Sequence, residues 1–178
     1  MSSRIREHYI IDGYNVIHAW PELSTLVGDL SEARDRLIQI MTEYGAYENY
    51  DIIVVFDALY TADEAHEEKR GSHVTILFTA AGETADSCIE RLAYELVRAR
   101  REVHVVTSDG AEQSVILGAG AYRLPPGEFR KRVRRVKEKL RRDYLEAPIF
   151  PLTRNEIRSH IDKETAEKLD RLRKNHDW

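Results

Sequence analysis

Asp12, Asp57, Asp86 and Asp109 stand where four apolar runs give way to other structure. Asp12 ends Tyr9-Ile10-Ile11, Asp57 ends the run from Asp51 to Phe56, Asp86 opens a helical pattern after the run from His73 to Phe78, and Asp109 follows Val103-His104-Val105-Val106-Thr107. Each has an ordinary structural use. Asp12-Gly13 is a common turn pair, Asp57 suits a loop entry, and Asp86 in a first helical turn is favoured by the helix dipole. Asp109, with Glu112 three residues on, can cap a helix in a box-like arrangement. Glu83, three residues before Asp86, can share its face if that helix begins early. Gathered at one edge, however, four carboxylates repel and desolvate one another unless a cation sits among them. Oxygen-only donors select hard cations, Mg²⁺ or Mn²⁺, over zinc or copper. Such a centre activates water and stabilises an in-line displacement at phosphorus.

The fold must bring those positions together. The second run is continuously apolar, as in a parallel strand covered on both faces. Helical stripes lie between the runs: Ala33, Leu37, Ile40, Met41 and Tyr44 form one, and Ala85, Cys88, Ile89, Leu92 and Leu96 another. Strands alternating with helices of this length predict an α/β class, a right-handed, three-layer sandwich around a central parallel sheet. Ligands of such sheets collect at the carboxyl ends of the strands, where the four aspartates fall. The Glu- and Lys-rich stretch from Leu59 to Ser72 predicts a long mobile loop.

After Pro125-Pro126-Gly127, the residues Phe129, Val133, Val136, Leu140 and Tyr144 recur at helical steps and share one face. The rest of that helix, expected over 127–145, is almost purely basic between Arg130 and Arg142: Arg130, Lys131, Arg132, Arg134, Arg135, Lys137, Lys139, Arg141 and Arg142 oppose one Glu138. Solvated faces usually mix signs, so this surface points to phosphate contacts beyond the scissile one. We expect one domain over 8–146 that includes this helix, and a helical tail over 147–178 packed on it.

The chain has 178 residues, 42% hydrophobic and 33% charged, enough for a core under a heavily charged surface. Its net charge of −4 conceals a division: residues 1–120 carry 10 Lys and Arg against 21 Asp and Glu, residues 121–178 carry 17 against 10. An acidic body joined to a basic end suits contact with a polyanion. No apolar run reaches membrane-spanning length and no signal-peptide pattern opens the chain. The single cysteine, Cys88, excludes an internal disulfide, and no Cys/His cluster has zinc spacing. A soluble cytoplasmic protein without a small-molecule cofactor is expected.

Four blocks carry a resemblance: Ile10-Ile11-Asp12-Gly13-Tyr14-Asn15-Val16-Ile17, Val55-Phe56-Asp57-Ala58, Gly82-Glu83-Thr84-Ala85-Asp86, and Val106-Thr107-Ser108-Asp109 with Glu112-Gln113 and Gly118-Ala119-Gly120-Ala121. In order and spacing, from about Ile10 to Arg123, they resemble the YacP-type NYN-domain nucleases. The resemblance implies a PIN-like fold and an endoribonuclease acting on mRNA in association with the ribosome. It implies Asp12 and Asp86 as principal catalytic carboxylates, Asp57 and Asp109 as further members of the metal-holding cluster, and Asn15 as the amide lining it. It also implies cleavage leaving a 5′-phosphate and a 3′-hydroxyl.

Other residues have two uses each. Asn15 can orient a metal's water or close a turn. Thr107 and Ser108 can touch phosphate, although Ser108 also suits a helix cap. Tyr14 and Trp20 can stack on bases or fill the core. Cys88 reads as a core thiol, and His66 and His73 as solvated residues flanking the loop. Two functions compete: a Mg²⁺- or Mn²⁺-dependent endoribonuclease whose Arg130, Lys131, Arg134, Arg135, Lys137, Arg141 and Arg142 grip mRNA or ribosomal RNA, and a non-catalytic ribosome- or RNA-binding module with a vestigial acidic pocket. A haloacid-dehalogenase-type phosphatase also begins with Asp after an apolar strand, but its usual second Asp is replaced here by Tyr14.

Overall fold

The computed structural model describes residues 6–58, 65–110 and 112–146. By its internal contacts the chain divides into Met1–Arg141 and Arg142–Trp178. Residues 142–146 form the last turn of a helix that begins in the first unit. The expected tail over 147–178 lies outside the described residues.

Six strands form one sheet in the order β3-β4-β2-β1-β5-β6. They are β1 (Glu7–Asp12), β2 (Asp51–Phe56), β3 (His66–Arg70), β4 (Val74–Phe78), β5 (Glu102–Val106) and β6 (Tyr122–Leu124). All neighbours are parallel except β3, which runs antiparallel to β4 at one edge. The α/β, mainly parallel expectation therefore holds with one amendment. Residues 66–70, read from composition as loop, form an edge strand that turns at Gly71 (φ 63°) into β4. Charged residues are a usual defence of a sheet edge, so Glu67, Glu68, Lys69 and Arg70 disguised a strand as a loop. The three-residue β6 was not anticipated either.

The helices are α1 (Gly13–Ala19), α2 (Pro21–Ser24), α3 (Leu30–Glu48), α4 (Ala85–Arg98), α5 (Glu112–Ala119) and α6 (Pro126–Glu146). Alternation along each strand divides the core into two layers. Tyr9 and Ile11 point with Val54 and Phe56 into a cluster closed by α1, α3 and α6, whereas Ile10, Val55, Val103 and Val105 face Ala85, Cys88, Ile89 and Ala93 of α4. Ile10, Ile11, Leu37, Met41 and Ile76 lose essentially all exposure, each contributing about 1.5–3 kcal/mol relative to an exposed side chain. Asp29 starts α3 by accepting from Ser31 N (3.0 Å) and Glu32 N (3.1 Å), and Asn49 ends it in the left-handed conformation.

The basic helix forms where the periodicity placed it. Phe129, Val133 and Val136 are buried and Leu140 packs at the margin. Tyr144, expected on the same face, is instead 88% exposed. Periodicity sets the direction in which a side chain points, not whether a surface lies beneath it. Among the described residues no helix is long and apolar enough to cross a membrane.

Candidate active site

β1 lies in the middle of the sheet, and the chain leaves it towards β2 on one side and β5 on the other. That reversal makes the carboxyl end of β1 the switch point at which such sheets open a crevice, and Asp12 occupies it. Asp12 is not a turn residue, as the Asp-Gly pair suggested. It caps α1, its Oδ1 accepting from Asn15 N at 3.1 Å. Burial pushes its carboxyl up to about 6, against the lowering effect of that N–H; Asp86, Asp57 and Asp109 each push it up further. Asp57, Asp86 and Asp109 therefore all lie near enough to act on Asp12 through space, three of the four at strand ends and Asp86 in the first turn of α4.

Two sets of hydrogen bonds stitch the edge together. Asp57, just past β2, accepts from the backbone N–H of Ala85 (3.2 Å), the first residue of α4 and the neighbour of Asp86. The second set spans 93 residues of sequence: Asn15 Nδ2 donates to Ser108 Oγ (2.7 Å) while Ser108 N donates to Asn15 Oδ1 (2.9 Å). Ser108 is thus no helix cap; α5 begins four residues later, at Glu112. Thr107, offered above as a phosphate contact, is fully buried, and its Oγ1 accepts from Asp109 N at 3.1 Å. Asn15, in the first turn of α1, joins the β1–α1 junction at Asp12 to the loop carrying Asp109.

Glu83 does not share a face with Asp86. Thr84 caps α4, leaving Glu83 outside the helix and paired with Arg91 at 3.1 Å. Two contributors escaped the sequence reading. Arg123 donates from Nη2 to Ser108 O (3.1 Å), bracing the loop from the side of β6; its signal is a basic residue beside a run of small ones, which many sequences share. The other is Gly13, where an added Cβ would stand 2.3 Å from Phe56 Cε1. An Asn15→Ala variant tests the stitch. Both bonds to Ser108 disappear, so the phosphodiester chemistry expected above from the sequence should fall tenfold to a hundredfold while the melting temperature drops by only a few degrees; an unchanged rate would show that Asp109 needs no such tether.

The donors at this edge are carboxylate oxygens, the chemistry that suits a hard divalent cation. Burial raises the Asp12 carboxyl to about 6, and a cation beside it would favour its charged form. Among the described residues no three His, Cys, Asp or Glu side chains already stand as a complete ligand set.

The candidate RNA-binding cations separate into two groups. Arg130 Nε bonds both carboxylate oxygens of Glu22 (3.0 and 2.8 Å), and Lys131 pairs with Glu128 (2.7 Å), so these two are answered within the protein. Arg134, Arg135, Lys137 and Arg141 are exposed, as is Arg142 at the start of the second unit. Tyr14 and Trp20 belong to the core. Tyr14 meets the Phe56 ring edge-on, and Trp20 Nε1 donates to Pro126 O (2.9 Å). Cys88 is buried. His66 stacks on Phe78 at 4.4 Å, and His73 Nδ1 lies 3.2 Å from Tyr50 O, so neither is simply solvated.

Known proteins share this sequence and fold. Residues 9–174 match the family described as YacP-like NYN domain. YacP of Bacillus subtilis (strain 168) is 42% identical over 145 residues, covering 78% of this chain and 84% of that protein. The crystal structure of Rae1 (YacP) from Bacillus subtilis superimposes with a TM-score of 0.71 at 34% identity, over 94% of this chain and 95% of the other. A tryptophan-to-leucine mutant of the same protein gives 0.69 at 35% identity, over 93% and 99%.

Proposed function

The chain belongs to the YacP-like NYN domain family, and from that premise we propose that it is a metal-dependent endoribonuclease that cleaves mRNA in association with the translating ribosome. The observation that carries the proposal is the convergence of Asp57, Asp86 and Asp109, drawn from three other segments, on Asp12 at the switch point of the sheet. Asp12 and Asp86 would hold a divalent cation, with Asp57 and Asp109 completing or tuning its surroundings. When bound, Mg²⁺ or Mn²⁺ would supply charge neutralisation at the scissile phosphate and a more acidic water.

The chain's own residues do the rest. Asp12, which ends β1 and caps α1, would fix one side of the cation site, and the attacking water gives up its proton to solvent. Attack at phosphorus in line with the 3′ oxygen breaks the P–O3′ bond and leaves a 5′-phosphate and a 3′-hydroxyl. Asn15, through Ser108, fixes the spacing between Asp12 and Asp109. The exposed cations of α6 hold the flanking phosphates of messenger or ribosomal RNA.

The rival reading, an RNA-binding module with a vestigial acidic pocket, draws support from the absence of a ready-made ligand set among the described residues. Chelation separates the two. With translating ribosomes, mapped 5′-phosphate ends are expected to appear with Mg²⁺ or Mn²⁺ and to vanish with EDTA, while binding persists. Binding without new ends in either condition would leave the module.

A further inference from the structure

Away from the carboxylates, the first unit carries a second concave surface. An open groove of about 400 Å³ runs between the end of α3, the start of β2 and the middle of α6. Tyr44, Glu48, Tyr50, Arg132, Arg135 and Lys139 line it, three cations against one carboxylate. The cations recur at steps of three and four along α6, so they stand on one edge of the helix. Arg132 is partly answered, its Nη1 lying 3.3 Å from Tyr9 Oη. Glu48 is engaged by the Tyr50 side chain. Arg135 and Lys139 are exposed, and neither forms an ion pair with a carboxylate among the described residues.

The groove is not part of the cleavage centre. Tyr50 precedes β2 and Asp57 follows it, so six strand residues at about 3.3 Å each place the two roughly 20 Å apart. The surface of the groove is open and polar, unlike the enclosed apolar pockets that hold small metabolites. Tyr44 is buried and Tyr50 partly exposed, and cations beside an accessible aromatic ring are the means by which single-stranded nucleic acid is held without sequence preference. Arg134, Lys137 and Arg141 stand on other faces of the same helix, so α6 is positive round much of its circumference, which suits a polymer of phosphates rather than an isolated anion.

We propose that this groove is a second RNA site, remote from the carboxylates, which takes one nucleotide of a single strand with its phosphate on Arg135 and Lys139 and its base against Tyr50. The proposal rests on the RNA-directed reading above and deepens it: RNA is gripped at the amino ends of the strands while it is cut at the carboxyl ends.

The test is binding of a fluorescein-labelled decauridylate to the full chain, followed by anisotropy in EDTA so that no cleavage intervenes. An Arg135→Glu/Lys139→Glu variant, altered only at exposed positions, is expected to bind at least tenfold more weakly. Its plot of log affinity against log salt should be shallower by about 0.7, the share of one single-strand phosphate. A Tyr50→Leu variant that melts as a folded protein should lose about fivefold or more with the salt slope unchanged. Arg98→Glu, the same charge reversal on α4 across the sheet, should leave both quantities as they are. Undiminished binding by the double variant, or equal loss in Arg98→Glu, would overturn the site. The nuclease reading has a separate readout: undiminished binding by the double variant while the wild-type chain forms cleaved ends condemns only the groove, and binding lost as expected while the wild-type chain forms no ends condemns only the nuclease.

Discussion

Asp12→Asn is expected to abolish cleavage, by about 10³-fold or more, while making the metal-free protein more resistant to heat. A thousandfold loss corresponds to roughly 4 kcal/mol of transition-state stabilisation, a loss in keeping with removal of a ligand charge at the centre of the cluster. Asp86→Asn is expected to share the loss of cleavage. The gain in stability has a different origin. Burial and three neighbouring carboxylates hold the Asp12 carboxyl at about 6, above its usual 3.8. The folded state therefore retains the Asp12 proton over a range in which the unfolded chain has released it. Its contribution to stability is full below about pH 3.8 and is lost as pH rises through about 6. At pH 7 the wild-type protein carries a charge that the fold disfavours; asparagine removes it and can still accept from Asn15 N as a cap. In EDTA the variant should gain on the order of 1–2 kcal/mol, and each kcal/mol moves a chain of this size by about 2–4 °C. That advantage should shrink between pH 7 and pH 4. Mg²⁺ should raise the wild-type melting temperature and leave that of the variant unchanged. Full cleavage by a well-folded Asp12→Asn protein would end the proposed chemistry, and a lower melting point in EDTA at pH 7 would contradict the crowding of charge at this edge.

The positions of the four aspartates were legible in the sequence because parallel strands announce themselves locally. A buried strand must be apolar throughout, and the residue at which that rule ends marks its carboxyl edge. Asp12, Asp57 and Asp109 follow such endings, and Asp86 sits in the first turn of α4 as its pattern implied. What the strand pattern could not reveal is the tether between those ends. Asn15 and Ser108 lie 93 residues apart and exchange two hydrogen bonds, yet each residue type alone suggests only a cap or a turn. The same holds for Arg130, whose partner Glu22 is 108 residues away and turns a presumed RNA contact into an internal ion pair. The antiparallel edge was hidden for a further reason. A strand at a sheet margin is selected for charge, so β3 reads as loop by composition. Sequence thus exposes what burial dictates and conceals what long-range polar pairing dictates.

Gly13→Ala, a change of one methyl group, is expected to cost both stability and activity. An added Cβ would lie 2.3 Å from Phe56 Cε1, 2.6 Å from Cδ1 and 2.9 Å from Cζ. The ring has little room to retreat: it is fully buried, stacked on Phe78 at 5.5 Å and met edge-on by Tyr14 at 5.1 Å. Alanine gains up to about 1 kcal/mol in helix propensity over glycine, but overpacking of a rigid core costs about 1–3 kcal/mol and occasionally more. With three sub-contact distances the second effect wins, and a net loss near 2 kcal/mol should lower the melting temperature by roughly 4–8 °C. The functional consequence follows from the neighbours of the two residues. Gly13 succeeds Asp12 and Phe56 precedes Asp57, so the clash drives apart the two strand ends that carry these carboxylates. Cleavage should fall by more than the unfolded fraction explains. Phe56→Leu added to Gly13→Ala should recover part of both losses, a non-additive pairing that direct contact predicts. Thermal melts and cleavage rates of the two single variants and the double variant decide it. Strict additivity in both would show that the glycine is not there to let the ring approach.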